Sequence, residues 1–202
     1  MQDIIEAKYI EWTDGLTPEE STVNIFDKIR DIPYYVIAEH LDLEKGPSGM
    51  LKENKGSCTP KHYLLGMMYQ RLGVDIRYHT YSFMWKDLDI EYSGVLKDLS
   101  ERIPVTYHLA CEAFLGERWV LLDATWDNGL AGTDFPVNEN WDGKSDTILA
   151  IKSINDFIHE DAAKRDKEIK EKTAAYSLPE KLELSRFSGE LNKWLDQIRK
   201  EK

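Results

Sequence analysis

Cysteine is scarce in this 202-residue chain, with Cys58 and Cys111 the only two. Two thiols make no disulfide framework, which excludes a small, bridge-stapled secreted fold. Long apolar runs are also missing. Stretches such as 34–38 and 119–122 fall far short of the ~20 residues that a membrane span needs. The opening residues Met1-Gln2-Asp3-Ile4-Ile5-Glu6 have no basic start and no apolar core, so no secretory leader is expected. Positive charge is short as well. There are 26 Lys and Arg against 37 Asp and Glu, a net charge of -11 and a pI near 5.0. Phosphate binding rests on clustered Lys and Arg, so a nucleic-acid-wrapping surface is excluded.

The deficit of positive charge is local. Residues 160–202 hold 11 basic and 10 acidic side chains, leaving 15 and 27 for residues 1–159. This divides the chain into an acidic body, 1–159, and a balanced, polar extension, 160–202. An acidic body favours basic peptides or amines as substrates. The composition is 42% hydrophobic and 11% aromatic, enough for a globular core at this length. A cytoplasmic protein with reduced thiols is expected, with no membrane and no nucleic acid among its partners.

Helix and strand signals then order the chain. Thr17-Pro18-Glu19-Glu20 combines a cap, a proline suited to the first helical position and a capping-box glutamate. Val23, Phe26 and Ile29 continue that helix, and 34–40 suggests a second helical piece. Residues 42–56, with Gly46-Pro47-Ser48-Gly49, suggest a loop. Gly56-Ser57-Cys58-Thr59-Pro60 leads into a helix with Leu64, Leu65, Met67, Met68 and Leu72 as its apolar side. Gly73 stands where a left-handed cap belongs, and Val74, Ile76, Tyr78 and Thr80 then alternate as a strand. Residues 84–104 form a long connection. Strands are predicted over 105–115, 118–126 and 147–151, the first two joined by a Gly116-Glu117 turn of the II′ kind. In the extension, 161–173 has no apolar face, whereas Leu184, Phe187, Leu191, Trp194, Leu195 and Ile198 form a stripe that must dock.

Cys58, His108 and Asp123 are the candidates for chemistry. A two-residue turn pairs Leu115 with Arg118, sets Asp123 opposite Ala110 and makes it a diagonal neighbour of His108. A four-residue loop would set the two directly opposite, and a three-residue loop would put them on opposite faces. Cys58 starts a helix, whose positive end lowers a thiol pKa. His108 could take the thiol proton and Asp123 could orient the imidazole, the nucleophile–base–orienter logic of a triad. Cys58 and His62 also share a helix face and, with His108 and Asp123, could make a zinc site, although no Cys-x-x-Cys or paired-His spacing supports it. Otherwise His62 is a helix-surface residue or a support behind the site. Cys111 falls on the opposite strand face as a buried thiol, and a structural role suits His79 better than a place in a cleft.

Three blocks carry a family resemblance. Gly56-Ser57-Cys58, its helix and the exit Arg71-Leu72-Gly73-Val74-Asp75-Ile76-Arg77 form the first. His108-Leu109-Ala110 opens the second, and Trp119-Val120-Leu121-Leu122-Asp123-Ala124-Thr125 makes the third. Together they resemble the transglutaminase-like superfamily of papain-like cysteine enzymes, over about Glu53 to Asp127. The tryptophan that many members carry two positions after the histidine is Ala110 here. The resemblance implies an α+β fold, a Cys-bearing helix packed on an antiparallel sheet, and extra helices at both ends. It implies Cys58 as nucleophile, His108 as base and acid, and Asp123 as orienter; no cofactor or metal is expected, and calcium dependence is not implied. The Cys58 N–H is one candidate oxyanion donor, and a second is unassigned. Trp85 and Trp126 are candidates for substrate binding. The expected activity is an acyl-enzyme reaction on a peptide or protein amide, with hydrolysis favoured over transfer to an amine. The alternative is a catalytically silent domain that binds a partner through its helical extension.

Overall fold

The computed structural model describes residues 4–92 and 94–201, so the reading of Met1 to Asp3 lies outside the described residues. A first helix, α1 (Ile4–Thr13), had no clear sequence signal; Trp12 is its buried residue. In α2 (Pro18–Arg30) the capping box forms as expected. The Thr17 hydroxyl accepts from the Glu20 N–H at 3.2 Å, and the Glu20 carboxylate accepts from the Thr17 N–H at 2.9 Å. Segment 34–40 is mostly extended and ends in a single 3₁₀ turn. Residues 42–56 are not simply a loop, since α3 (Gly46–Glu53) forms within them and buries Met50. Its Pro47 in the first turn suits a helix start, which the Gly-Pro-Ser-Gly pattern disguises.

The central helix α4 (Cys58–Arg71) is buried for most of its length. A Cβ on Gly66 would strike the Tyr78 hydroxyl, so glycine there lets the helix lie close against the first strand. Lys61 is fully buried in this helix. Its Nζ donates to the Arg30 and Thr125 carbonyls, each at 2.8 Å, which ties the end of α2 to the chain just past Asp123. Burial first of all brings its pKa down to about 7.

The sheet contains β1 (Ile76–Phe83), β2 (Thr106–Leu115), β3 (Arg118–Leu122) and β4 (Asn155–His159). It is antiparallel throughout, in the order β3-β2-β1-β4. The short helix α5 (Val95–Ser100) lies in the connection between β1 and β2. The β2–β3 turn has two residues and pairs Leu115 with Arg118. Gly116 and Glu117 both have positive φ, 55° and 68°, so the turn is of the I′ kind, not II′. β3 stops at Leu122, four residues early, because the next N–H groups turn to side chains: Asp123 to the Thr147 hydroxyl, Ala124 to His62 and Thr125 to the Asp123 carboxylate. Residues 147–151 do not form a strand. There the Asn138 side chain bonds both the N–H and the carbonyl of Ile148. The fourth strand is Asn155–His159, on the far edge beside β1.

Alternate sheet residues feed two apolar clusters. Tyr78, Leu109, Cys111 and Leu122 join α2 and α4 in one. Tyr81, Phe83 and Ala110 join Trp85, Trp126 and the extension in the other. The extension comprises α6 (Ala162–Ala174) and α7 (Leu178–Lys200). The predicted stripe docks on the body, with Phe187, Leu191 and Leu195 buried. Asn192 bonds both backbone groups of Val36, at 2.9 and 3.0 Å. Arg199 grips the buried Asp127 carboxylate through two nitrogens, at 2.6 and 3.0 Å.

Removing Arg199 would leave the Asp127 carboxylate buried without its guanidinium. Arg199→Ala is expected to lower stability to urea by about 3 kcal/mol, the usual cost of breaking a buried pair from one side. A loss below about 1 kcal/mol, as for a surface pair, would contradict this account of how α7 is held.

Candidate active site

Ser57 caps α4 in extended conformation, so the first helical residue is Cys58 and its thiol lies at the positive helix end. The His108 ring and the Leu109 N–H act on the sulfur, and both favour its charged form. Burial drives the thiol pKa up, but the His108 charge, the hydrogen bond to His108 and the Leu109 N–H outweigh it, and the thiol ends below its ordinary value. For His108, burial pulls down, while the Asp123 carboxylate and the Cys58 sulfur push up more strongly, so the ring is held protonated. The two opposite shifts both favour a thiolate beside an imidazolium.

The His108 Nε2–H donates to Asp123 Oδ2 at 2.8 Å, which leaves Nδ1 for the sulfur. The two-residue turn thus brings the histidine and aspartate together as the strand arithmetic anticipated, with Asp123 one step past the end of β3. Asp123 is buried, and its two oxygens also accept from the Ala150 N–H at 2.7 Å and the Thr125 N–H at 3.1 Å. Burial raises its pKa, but the His108 charge and hydrogen bond, with help from Thr125, hold it well below the carboxylate range.

His62 is fully buried and not a surface residue. Its Nδ1–H donates to the Cys58 carbonyl at 2.8 Å, and its Nε2 accepts from the Ala124 N–H at 2.9 Å. Accepting at Nε2 requires the neutral ring. Burial first of all lowers its pKa to about 4, in keeping with that state. His62 therefore braces the first turn of α4 against the residue after Asp123. Both its nitrogens are committed to backbone, so it cannot serve as a zinc ligand in this arrangement. Among the described residues, no group of three or more His, Cys, Asp or Glu is placed to hold a metal.

Cys58 and His108 open into a cavity of about 760 Å³. Both tryptophans singled out from the sequence line it. The Trp126 indole N–H donates to the Ala150 carbonyl at 3.2 Å, and the Trp85 ring lies 5.0 Å from Phe187 of α7. Two further lining residues had no sequence signal: Tyr34 before the 3₁₀ turn and Arg165 on α6. The Tyr34 ring lies 4.5 Å from Trp126, and its hydroxyl is kept neutral by burial and then by the nearby Cys58 sulfur. The hydroxyls of Ser57 and Thr125 are buried at the same cavity without partners.

Other candidates lie elsewhere. Cys111 is buried in the first apolar cluster, its thiol directed to the His62 carbonyl at 3.4 Å, and burial raises its pKa well above the ordinary value. His79 is bonded to Asp156 and Glu112, at 2.9 Å each. Of the large aromatic residues in the irregular segments, Trp141 packs on Phe26 in the core, and Tyr92 donates to the Trp85 carbonyl at 2.9 Å.

Comparison with known proteins adds little to this geometry. No protein-family model matches the chain, and no curated protein matches it. One similar solved structure is from Cytophaga hutchinsonii, described as a "Putative Cysteine Protease". The likeness covers 80% of this chain and 45% of that one, at 18% identity and a TM-score of 0.44. The chain therefore spans less than half the length of that protein, and a likeness this distant carries no functional argument.

Asp123→Asn keeps a hydrogen-bonding shape but removes the charge that holds the His108 proton. Alkylation of Cys58 by iodoacetamide at pH 7 is then expected to slow about tenfold or more, the worth of one pKa unit. The midpoint of rate against pH should move upward, and an unmoved midpoint would contradict the electrostatic role given to Asp123.

Proposed function

We propose that this chain is a transglutaminase-like thiol enzyme that cleaves an amide through an acyl-enzyme. The observation that carries the reading is the buried His108–Asp123 hydrogen bond together with Cys58 at a helix start, Cys58 and His108 lining one cavity. The Cys58 thiolate attacks the amide carbon, and the C=O electron pair moves onto oxygen. The Cys58 N–H and the neutral Tyr34 hydroxyl act as donors to that oxyanion. The His108 imidazolium gives its proton to the leaving nitrogen as the C–N bond breaks, leaving a thioester and a neutral imidazole. A water then attacks the thioester while His108 takes its proton, and the acid departs as the thiolate returns. Asp123 holds the ring and its charge through both halves, and His62 holds the helix turn against the aspartate.

Hydrolysis is the preferred outcome, because water needs no dedicated acceptor site and a transferase must hold an amine. Trp85 and Trp126 serve as walls for the acyl part of a peptide-like substrate. A reducing, cytoplasmic setting suits an enzyme whose two cysteines are both free. No helix among the described residues is long and apolar enough to cross a membrane.

A screen of peptide and small amide substrates, read by amine release, tests the reading. Cys58→Ala should abolish release, and Cys111→Ala should leave most of it. Tyr34→Phe should lower kcat about a hundredfold with little change in KM, the signature of a lost oxyanion donor. Full activity in Cys58→Ala, or faster labelling of Cys111 than of Cys58 in the folded protein, would contradict the proposal.

A further inference from the structure

Arg165 is the one buried residue of α6. Only 2% of it is exposed, and it lines the Cys58 cavity. Its Nε–H donates to the Thr80 hydroxyl at 3.1 Å and its Nη1–H to the Tyr63 hydroxyl at 2.9 Å, with the guanidinium lying 5.5 Å from the Tyr63 ring centre. All of these partners are neutral. The remaining nitrogen, Nη2, is buried and has no partner. Among the described residues, no carboxylate forms an ion pair with Arg165; the adjacent Asp166 is paired with Lys170 at 2.7 Å.

A buried guanidinium without a carboxylate is unusual, because proteins pair the charges that they bury. The exception often marks a place where a ligand or ion belongs. The charges around the cavity point the same way. Its lining holds Arg165, Lys170 and Lys181 against Asp42 and Asp166, although the chain as a whole carries -11. Lys170 spends its charge on Asp42 at 2.9 Å and on Asp166. The surplus at the cavity is therefore positive, opposite in sign to the body around it.

We propose that the Cys58 cavity is an anion-selecting acyl site, in which Arg165 Nη2 receives a carboxylate carried by the substrate. The substrate class is an amide whose acyl portion bears a second, anionic carboxyl group. This rests on the thiol-enzyme reading and reverses the expectation of basic substrates. Lining by Trp85, Trp126 and Phe83 suits the carbon skeleton between the two groups. Nη2 is closed off from solvent, so admitting a carboxylate requires a shift of α6, whose other residues are half-buried or exposed.

Paired alkylation tests this directly. Iodoacetate and iodoacetamide differ by a carboxylate and attack the same thiolate. Their rates on Cys58 are read from its peptide by mass spectrometry at low salt and divided by the rates on a free cysteine peptide. The normalised iodoacetate preference is expected to be at least about fivefold, to be suppressed by added glutarate but not glutaramide, and to vanish in Arg165→Gln while Arg165→Lys keeps part of it. A normalised ratio of one or less, or a preference that Arg165→Gln leaves intact, overturns the proposal. Should Arg165→Gln fail to fold, the glutarate and glutaramide arms decide it in the unaltered protein. If iodoacetamide does not label Cys58 at all, the thiol-enzyme reading falls, and the anion site is judged by calorimetric titration of Cys58→Ala with glutarate. Binding there supports the site, and its absence overturns it.

Discussion

A thiolate and an imidazolium can coexist out of water only when each is the other's solvent. In this chain Cys58 and His108 are both buried, and burial by itself opposes charge on each. The balance is turned by Asp123, which supplies a fixed negative charge behind the ring. Asp123 in turn stays ionised because the His108 proton and backbone N–H groups from Thr125 and Ala150 occupy its oxygens. The rest of the architecture around the cleft serves this three-membered chain of charges. The helix start places the sulfur, the two-residue turn places the aspartate, and His62 fixes the distance between them through two backbone bonds.

The extension is part of the same construction. Its second helix contributes Phe187 to the wall beside Trp85, while Asn192 and Arg199 hold the segment around Tyr34 by its backbone. Arg199 also fixes Asp127, four residues after Asp123. Its first helix touches the body more lightly and delivers Arg165 to the cavity. In the proposed reaction, therefore, the body supplies the nucleophile and proton carrier, and the extension shapes and charges the space where the acyl group sits.

How far this was legible in the sequence depended on the physics involved. The His108–Asp123 pairing rested on strand periodicity and a two-residue turn, both of which survive without tertiary knowledge, while Cys58 was joined to it by its helix start and the family resemblance; the turn type differed, yet the register did not. The missing strand at 147–151 and the early end of β3 have a different cause. There the side chains of Asn138, Thr147 and His62 take hydrogen bonds that strand pairing would otherwise take, and no periodicity reports that. The helix Gly46–Glu53 hid beneath glycines and a proline that usually mark a turn. His62 was visible as a neighbour of Cys58 on one helix face, but its burial was not. Arg165 was illegible for a plainer reason: it lies in a charged helix without an apolar face, and only folding shows that one of those charges is inside. In the proposed anion site, that one charge reverses the electrostatic expectation. Net charge describes the surface of the body, whereas the cavity is governed by the few charges that reach it.

The central claim is that Cys58 rests as a thiolate because His108 and Asp123 hold it so. Ultraviolet absorbance near 240 nm reports thiolate directly. The pH titration of wild-type protein minus that of Cys58→Ala isolates this one residue. The account predicts a midpoint clearly below the ~8.5 of a free cysteine, displaced upward when His108 is replaced by Gln. A midpoint at or above that of a free thiol, unaffected by the His108 replacement, would contradict it.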